Sequence, residues 1–154
     1  MTERLTIAAL PDLIGKEIGV SDWREISQDR ISNFAEVTED FQYIHVDSER
    51  AAKTPFGGTI AHGFLGLSLL SAMFEEAVGE IDGVAMSMNY GFDSVRFLVP
   101  VKTGARIRAR FSVKEASQRK AGQWRLVLDT KVEIDGEEKP ALIAEWVILL
   151  FAEA

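Results

Sequence analysis

Asp40 and His45, five residues apart, are the side chains in this sequence best suited to moving a proton. An ionised carboxylate accepts a hydrogen bond and an imidazole can donate or accept one, so together they can orient a water and take its proton near neutral pH. Downstream, Pro55-Phe56-Gly57-Gly58-Thr59-Ile60-Ala61-His62-Gly63 leads into a long apolar segment. If that segment is a helix, its first turn leaves backbone N–H groups unpaired and favours negative charge, and Gly63 presents its amide with no side chain in the way. The spacing therefore suggests an acid/base pair facing an oxyanion-binding helix end. A plainer reading stands beside it, in which Asp40 caps a turn, His45 satisfies a backbone carbonyl and His62 orders the loop. Asp40, His45 and His62 are also zinc-ligand types. They come from two loops without a helical histidine pair, so no metal is expected.

The elements that must hold these groups can be read from periodicity. From Gly63 to Val78 only Ser68, Ser71, Glu75 and Glu76 break the apolar and small residues. A helix so apolar on every side must be buried on every side. At ~1.5 Å per residue it would be about 24 Å long, close to a seven-residue strand, and so of a size to be wrapped by a sheet. Ser27 is a good N-cap for a helix over Gln28 to Val37, and Asp47 for a short one through Ala52. Asp40 to His45 is then a loop without regular helix, in which Gln42 orders the chain and Tyr43 is an exposed aromatic. Residues Met1 to Gly15 form a lead-in that packs Leu5, Ile7, Leu10, Leu13 and Ile14, and Glu17 to Ile26 a first strand.

The second half alternates. Met86, Met88, Tyr90 and Phe92 keep one phase and Val95 and Phe97 the other, which predicts a bulge near Asp93 and Ser94. In the next strand Ala105, Ile107, Ala109, Phe111 and Val113 point inward while Arg106, Arg108 and Arg110 point out. Trp124, Leu126, Leu128, Thr130, Val132 and Ile134 form a further inward face. From Ala141 to Phe151 both faces are apolar, so this strand needs a second cover, from the N-terminal segment or another subunit. That predicts a homodimer.

At 154 residues with 47% hydrophobic composition, the chain reads as one domain over 1–154 with a full core. Cysteine is absent, which excludes disulfides and cysteine nucleophiles and fits the cytoplasm. The net charge of -7 argues against nucleic acid as partner. Glu3, Arg4, Pro11 and Asp12 break any leader-like run, and the apolar helix falls short of the ~20 residues of a membrane span. Gly57, Gly58 and Gly63 lack the Lys-Ser/Thr pair of a phosphate loop, and Ser68 and Ser71 lie at no nucleophile elbow. Arg96, Lys102, Arg106 and Arg108 belong to a local basic stretch; it reads first as a solvated face and second as a clamp for a phosphate-bearing small molecule.

The run Phe34 to Asp47, containing Asp40 and His45, followed by Phe56-Gly57-Gly58-Thr59-Ile60-Ala61-His62-Gly63, resembles the signature of MaoC-like dehydratases and (R)-specific enoyl-CoA hydratases. The resemblance extends over nearly the whole chain, including Val95-Arg96-Phe97 and Pro100-Val101. It implies an α+β hotdog fold, an antiparallel sheet of about five strands wrapped round a long central helix. It further implies reversible hydration of trans-2-enoyl thioesters to (R)-3-hydroxyacyl thioesters. Asp40 and His45 would be the catalytic pair and the Gly63 N–H the donor to the thioester carbonyl. The thioester, on coenzyme A or an acyl carrier, is then the substrate, with no further cofactor. Where the family commonly has Gly-Asp-x-Asn-Pro-x-His, this chain has Glu39-Asp40-Phe41-Gln42-Tyr43-Ile44-His45; the acid and imidazole keep their spacing while Gln42 and Tyr43 alter the loop. The same fold hosts thioesterases, separable by free thiol release, and could serve a non-catalytic acyl-thioester binder.

Overall fold

A computed structural model describes residues 4–154. The first three positions of the expected lead-in, including Glu3, lie outside them. The described chain is one antiparallel sheet curled round a helix, the hotdog arrangement. Its strands are β1 (Glu17–Val20), β2 (Arg24–Glu25), β3 (Val84–Phe97), β4 (Arg106–Lys120), β5 (Gln123–Ile134) and β6 (Leu142–Ala152). The order is β1-β4-β5-β6-β3, with β2 also paired to β4.

There are six strands because the expected first strand is two. Ser21 interrupts it: its N–H donates to the Ala109 carbonyl and its hydroxyl accepts the Ala109 N–H, both at 2.9 Å, so a side chain replaces one rung of the ladder. In β1, Gly19 crosses the central helix so closely that a Cβ there would lie 2.5 Å from the Ala77 carbonyl oxygen. Only glycine allows that approach.

The inward alternation of β4 and β5 is as the sequence predicts. Ile107, Ala109, Phe111, Val113, Leu126, Leu128 and Val132 are buried. The register of β3 against β6 shifts between Phe92 and Ser94, at the expected bulge, and at two further places along β3. The helix side closes this core through Phe74, whose ring meets Phe111 edge-on at 5.2 Å and Trp146 at 5.9 Å. Such aromatic pairs add about 0.5–1.5 kcal/mol beyond their buried area.

Three expectations change. The central helix is two pieces, α4 (Gly63–Ser68) and α5 (Leu70–Val78), broken at Leu69. The Ser68 hydroxyl donates back to the Phe64 carbonyl at 2.6 Å, a contact that bends helices. Nor is the helix buried all round: Leu65, Leu70 and Met73 face the core while Phe64 is 65% exposed. Lastly, β6 is an interior strand between β5 and β3. The N-terminal segment, a 3-10 helix over Ile7–Leu13, does not cover its second face but sinks Leu10 into the core. Of the two sheet edges among the described residues, β1 with β2 at one side and β3 at the other, β3 is the long one, and it exposes Met86, Met88, Tyr90 and Phe92.

Candidate active site

The site is assembled by α1 (Gln28–Thr38), α2 (Tyr43–Val46), α3 (Ser48–Ala52) and the segment running into α4. Ser27 caps α1 and Asp47 caps α3, each accepting an N–H three residues on, at 3.2 and 3.1 Å. After α1 the chain reverses at Glu39, whose φ of 60° puts a non-glycine residue in the left-handed region. An L-residue pays roughly 1–2 kcal/mol there. This turn delivers Asp40, whose carboxylate accepts the Gln42 N–H at 3.3 Å. The stretch expected to be a plain loop then forms one helical turn, α2, closed by the Asp47 N–H donating to the Tyr43 carbonyl at 2.9 Å. α2 carries His45 inward, to 6% exposure. Tyr43, expected to be exposed, is half-buried beneath the Arg50 guanidinium, 4.1 Å from its ring centre. Phe41 is the exposed aromatic of this stretch.

Both plain contacts foreseen for Asp40 and His45 are present, and neither exhausts its group. His45 Nδ1 lies 2.7 Å from the Ile60 carbonyl, which can only accept, so Nδ1 carries the proton and Nε2 keeps a free lone pair. Burial holds this imidazole below the ordinary histidine range; the bond to Ile60 pushes back, His62 adds to the lowering and Asp40 opposes it. One ring nitrogen from each histidine and a carboxylate oxygen of Asp40 lie within 4.8 Å of one another. Among the described residues no hydrogen bond joins the Asp40 carboxylate to the His45 ring, and the spacing suits a bridging water.

His62 occupies the N-cap position of α4 at 3% exposure. Its Nε2–H donates to the Asp40 main-chain carbonyl at 3.0 Å, and its ring stacks on His45 at 3.8 Å with 22° between planes. Its Nδ1 is buried without a partner among the described residues, an arrangement that costs about 1–3 kcal/mol. The stacking works against a metal in this cluster. Zinc binds imidazole nitrogen at ~2.0–2.1 Å along the lone pair, and nearly parallel rings aim their lone pairs side by side rather than at one point.

The remaining supports were not legible in the sequence. Gln28 donates to the His45 carbonyl at 2.8 Å and accepts from the Thr59 hydroxyl at 2.5 Å, stitching α2 to the segment before α4. Nothing about a glutamine one residue inside a helix marks it for that work. The Ala61 N–H donates to Val101 and the Thr103 N–H to Thr59, at 2.7 and 3.1 Å, which straps the same segment to the chain after β3. Gly63 follows with a φ outside the left-handed region, and no backbone acceptor takes its N–H among the described residues. Phe97 packs on it, 3.0 Å from where a Cβ would stand. A pocket of about 250 Å³ opens here, lined by His45, His62 and Gly63 together with the apolar Leu65, Ile107, Val132 and Leu142.

The basic residues divide. Arg106 pairs with Asp135, and Arg108 with Glu133 at 2.7 Å, and both lie over the Trp23 ring. They are engaged away from the pocket lining. Arg96 and Lys102 are exposed and have no acidic partner among the described residues; each adjoins a lining residue, Phe97 and Val101.

A family model described as MaoC like domain matches residues 10–136. The chain belongs to the MaoC-like family. It is 48% identical over 147 residues to nodulation protein N of Rhizobium leguminosarum bv. viciae, covering 95% of this chain and 91% of that one. It is 41% identical over 143 residues to 3-hydroxyacyl-thioester dehydratase Z of Mycobacterium tuberculosis, covering 93% and 94%. Its fold matches the unliganded R-hydratase of Pseudomonas aeruginosa with a TM-score of 0.74 at 25% identity, over 97% of this chain and 88% of that one.

Proposed function

We infer that this MaoC-like chain is a hydro-lyase that reversibly hydrates trans-2-enoyl thioesters to (R)-3-hydroxyacyl thioesters. The observation that carries the reading is His45: a buried imidazole with its Nδ1 proton fixed by a main-chain carbonyl and its Nε2 lone pair free, beside a carboxylate that is not bonded to it. A general base needs that free lone pair within reach of a water. Relatives named as an acyl-thioester dehydratase and an R-hydratase support the choice of reaction.

In this mechanism the acyl chain enters the apolar pocket and its carbonyl meets the Gly63 N–H. Water held between Asp40 and His45 adds its oxygen at C3 while the pair takes one of its protons. The enolate that forms at the thioester oxygen is stabilised by the amide, and a proton returns to C2. Dehydration is the same path reversed. Because negative charge appears at the oxygen only as the reaction proceeds, a preoriented amide helps most in the transition state. About 250 Å³ lies below the ~300–1,000 Å³ of pockets that enclose drug-sized ligands, so the pocket has room for an acyl chain and not for its carrier. Of the four basic residues singled out in the sequence, Arg96 and Lys102 are the two that Asp135 and Glu133 leave free to meet a carrier phosphate.

The assembly that fits is a homodimer joined at β3, not at β6. A long apolar edge strand is a template for pairing, and a two-fold pairing with a second copy would cover it.

The test is hydration of crotonyl-CoA and longer enoyl-CoAs, followed at the conjugated-thioester absorbance with free thiol measured alongside. Asp40→Asn and His45→Gln should each lower turnover at least ~10²-fold with the fold intact. A folded Asp40→Asn variant at near-normal rate would remove the acid/base assignment, and thiol release in place of hydration would remove the hydration reading.

A further inference from the structure

His62 touches α1, the turn after it, α2 and α4. Its Nε2–H ties down the Asp40 main chain, one ring face lies on His45, Phe34 of α1 meets it at 4.9 Å, and its own carbonyl accepts the Leu65 N–H in the first turn of α4. Its Nδ1 is buried with no partner among the described residues. Packing alone would be better served by phenylalanine, which has the same flat shape and leaves no acceptor unpaired. The imidazole is therefore in place for its one hydrogen bond and for its relation to His45.

We propose that His62 is a positioning residue: holding the Asp40 main chain at its edge and His45 on its face, it fixes the gap between carboxylate and imidazole in which the water is held. This rests on the hydration reading above. It also gives His62 a part in keeping His45 a base. The titratable groups facing His45 are Asp40 from the turn after α1 and His62 from the cap of α4; α1 offers the Gln28 amide and the segment before α4 the Ile60 carbonyl, neither charged. Of the two ionisable neighbours, His62 alone disfavours a proton on His45.

The experiment compares His62→Phe, His62→Gln, Asp40→Asn, His45→Gln and the double variant His62→Phe with His45→Gln, as full-length proteins hydrating crotonyl-CoA. His62→Phe should keep the melting temperature and KM and lose about tenfold or more in kcat, the factor that one misplaced contact of 1.36 kcal/mol removes. The acid limb of its kcat/KM profile should move to higher pH, because a neighbour that opposed protonation of His45 is gone. His62→Gln, which keeps an N–H for the Asp40 carbonyl, should recover part of kcat. In the His45→Gln background His62→Phe should cost nothing more, since a residue acting through another is non-additive with it. Wild-type kcat with an unmoved pH profile in His62→Phe overturns the proposal, as does the same loss with and without His45. If His62→Phe melts early, the cancellation is sought with His62→Gln in its place, and its absence there overturns the proposal equally. Wild-type protein that leaves crotonyl-CoA and longer enoyl-CoAs unhydrated defeats the hydration reading itself, and a fully active Asp40→Asn defeats the acid/base assignment on which the role of His62 is built. An impaired Asp40→Asn beside an unimpaired His62→Phe defeats only the role of His62.

Discussion

Replacing Gly63 by proline removes one hydrogen atom from the proposed machinery and little else. Proline is accepted at the first helical position because its missing N–H has no partner within the helix. The local backbone agrees: Gly63 has no positive φ, and the preceding His62, at φ -59° and ψ 138°, already holds the extended conformation a residue before proline requires. The steric cost is the contact with Phe97, whose ring atoms would stand 3.0 Å from the new Cβ. Phe97 is 48% exposed and can swing by the few tenths of an ångström needed. Gly63→Ala adds the same Cβ and keeps the N–H, so it controls for that contact. Loss of one oxyanion donor costs ~10² to 10³ in turnover, or about 2.7–4 kcal/mol. The expected result is Gly63→Ala within about tenfold of wild type, the shift that ~1.4 kcal/mol of strain produces, and Gly63→Pro a further ~10² or more below it. Enoyl-CoA hydration rates at saturating substrate, with melting temperatures that match among the three proteins, make the comparison. Equal rates for Gly63→Pro and Gly63→Ala would refute the reasoning, and the thioester carbonyl would then be polarised elsewhere.

The acid limb of kcat/KM should fall below the ordinary histidine range, because burial keeps His45 neutral to lower pH. The same depressed value makes His45 contribute stability that is present above its unfolded pKa and lost as pH falls through its folded one, so His45→Gln should flatten the decline of melting temperature in that window. Glu39→Gly should relieve the left-handed strain and, after the greater freedom of glycine in the unfolded chain, gain up to about 1 kcal/mol, or ~2–4 °C, by calorimetry, with turnover unchanged. Sedimentation should give twice the 17.1 kDa of one chain, and Met88→Asp on β3 should shift it toward monomer; a wild-type chain that stays at 17.1 kDa at micromolar concentration contradicts pairing at that edge.

The sequence by itself determined the parts whose information is local. Period-two alternation placed the inward faces of β4 and β5, the phase change at Asp93 and Ser94 marked a bulge, and Ser27 and Asp47 announced their helices, because side-chain direction and capping depend on neighbours a few residues away. The types and spacing of Asp40, His45 and Gly63 likewise singled out the groups that now line or adjoin one pocket. What only the tertiary structure decided was who touches whom across distance. That His45 leans on Ile60 and stacks on His62, that Gln28 ties the site together, and that Arg106 and Arg108 are engaged by Asp135 and Glu133 all depend on segments brought close by the curled sheet. The exposed edge illustrates the limit: β6 and β3 are both rich in apolar residues, and hydrophobicity alone cannot distinguish an interior strand from an edge. Strand order distinguishes them, and it is set by which pairing lets the sheet wrap round α4 and α5, a property of the whole chain.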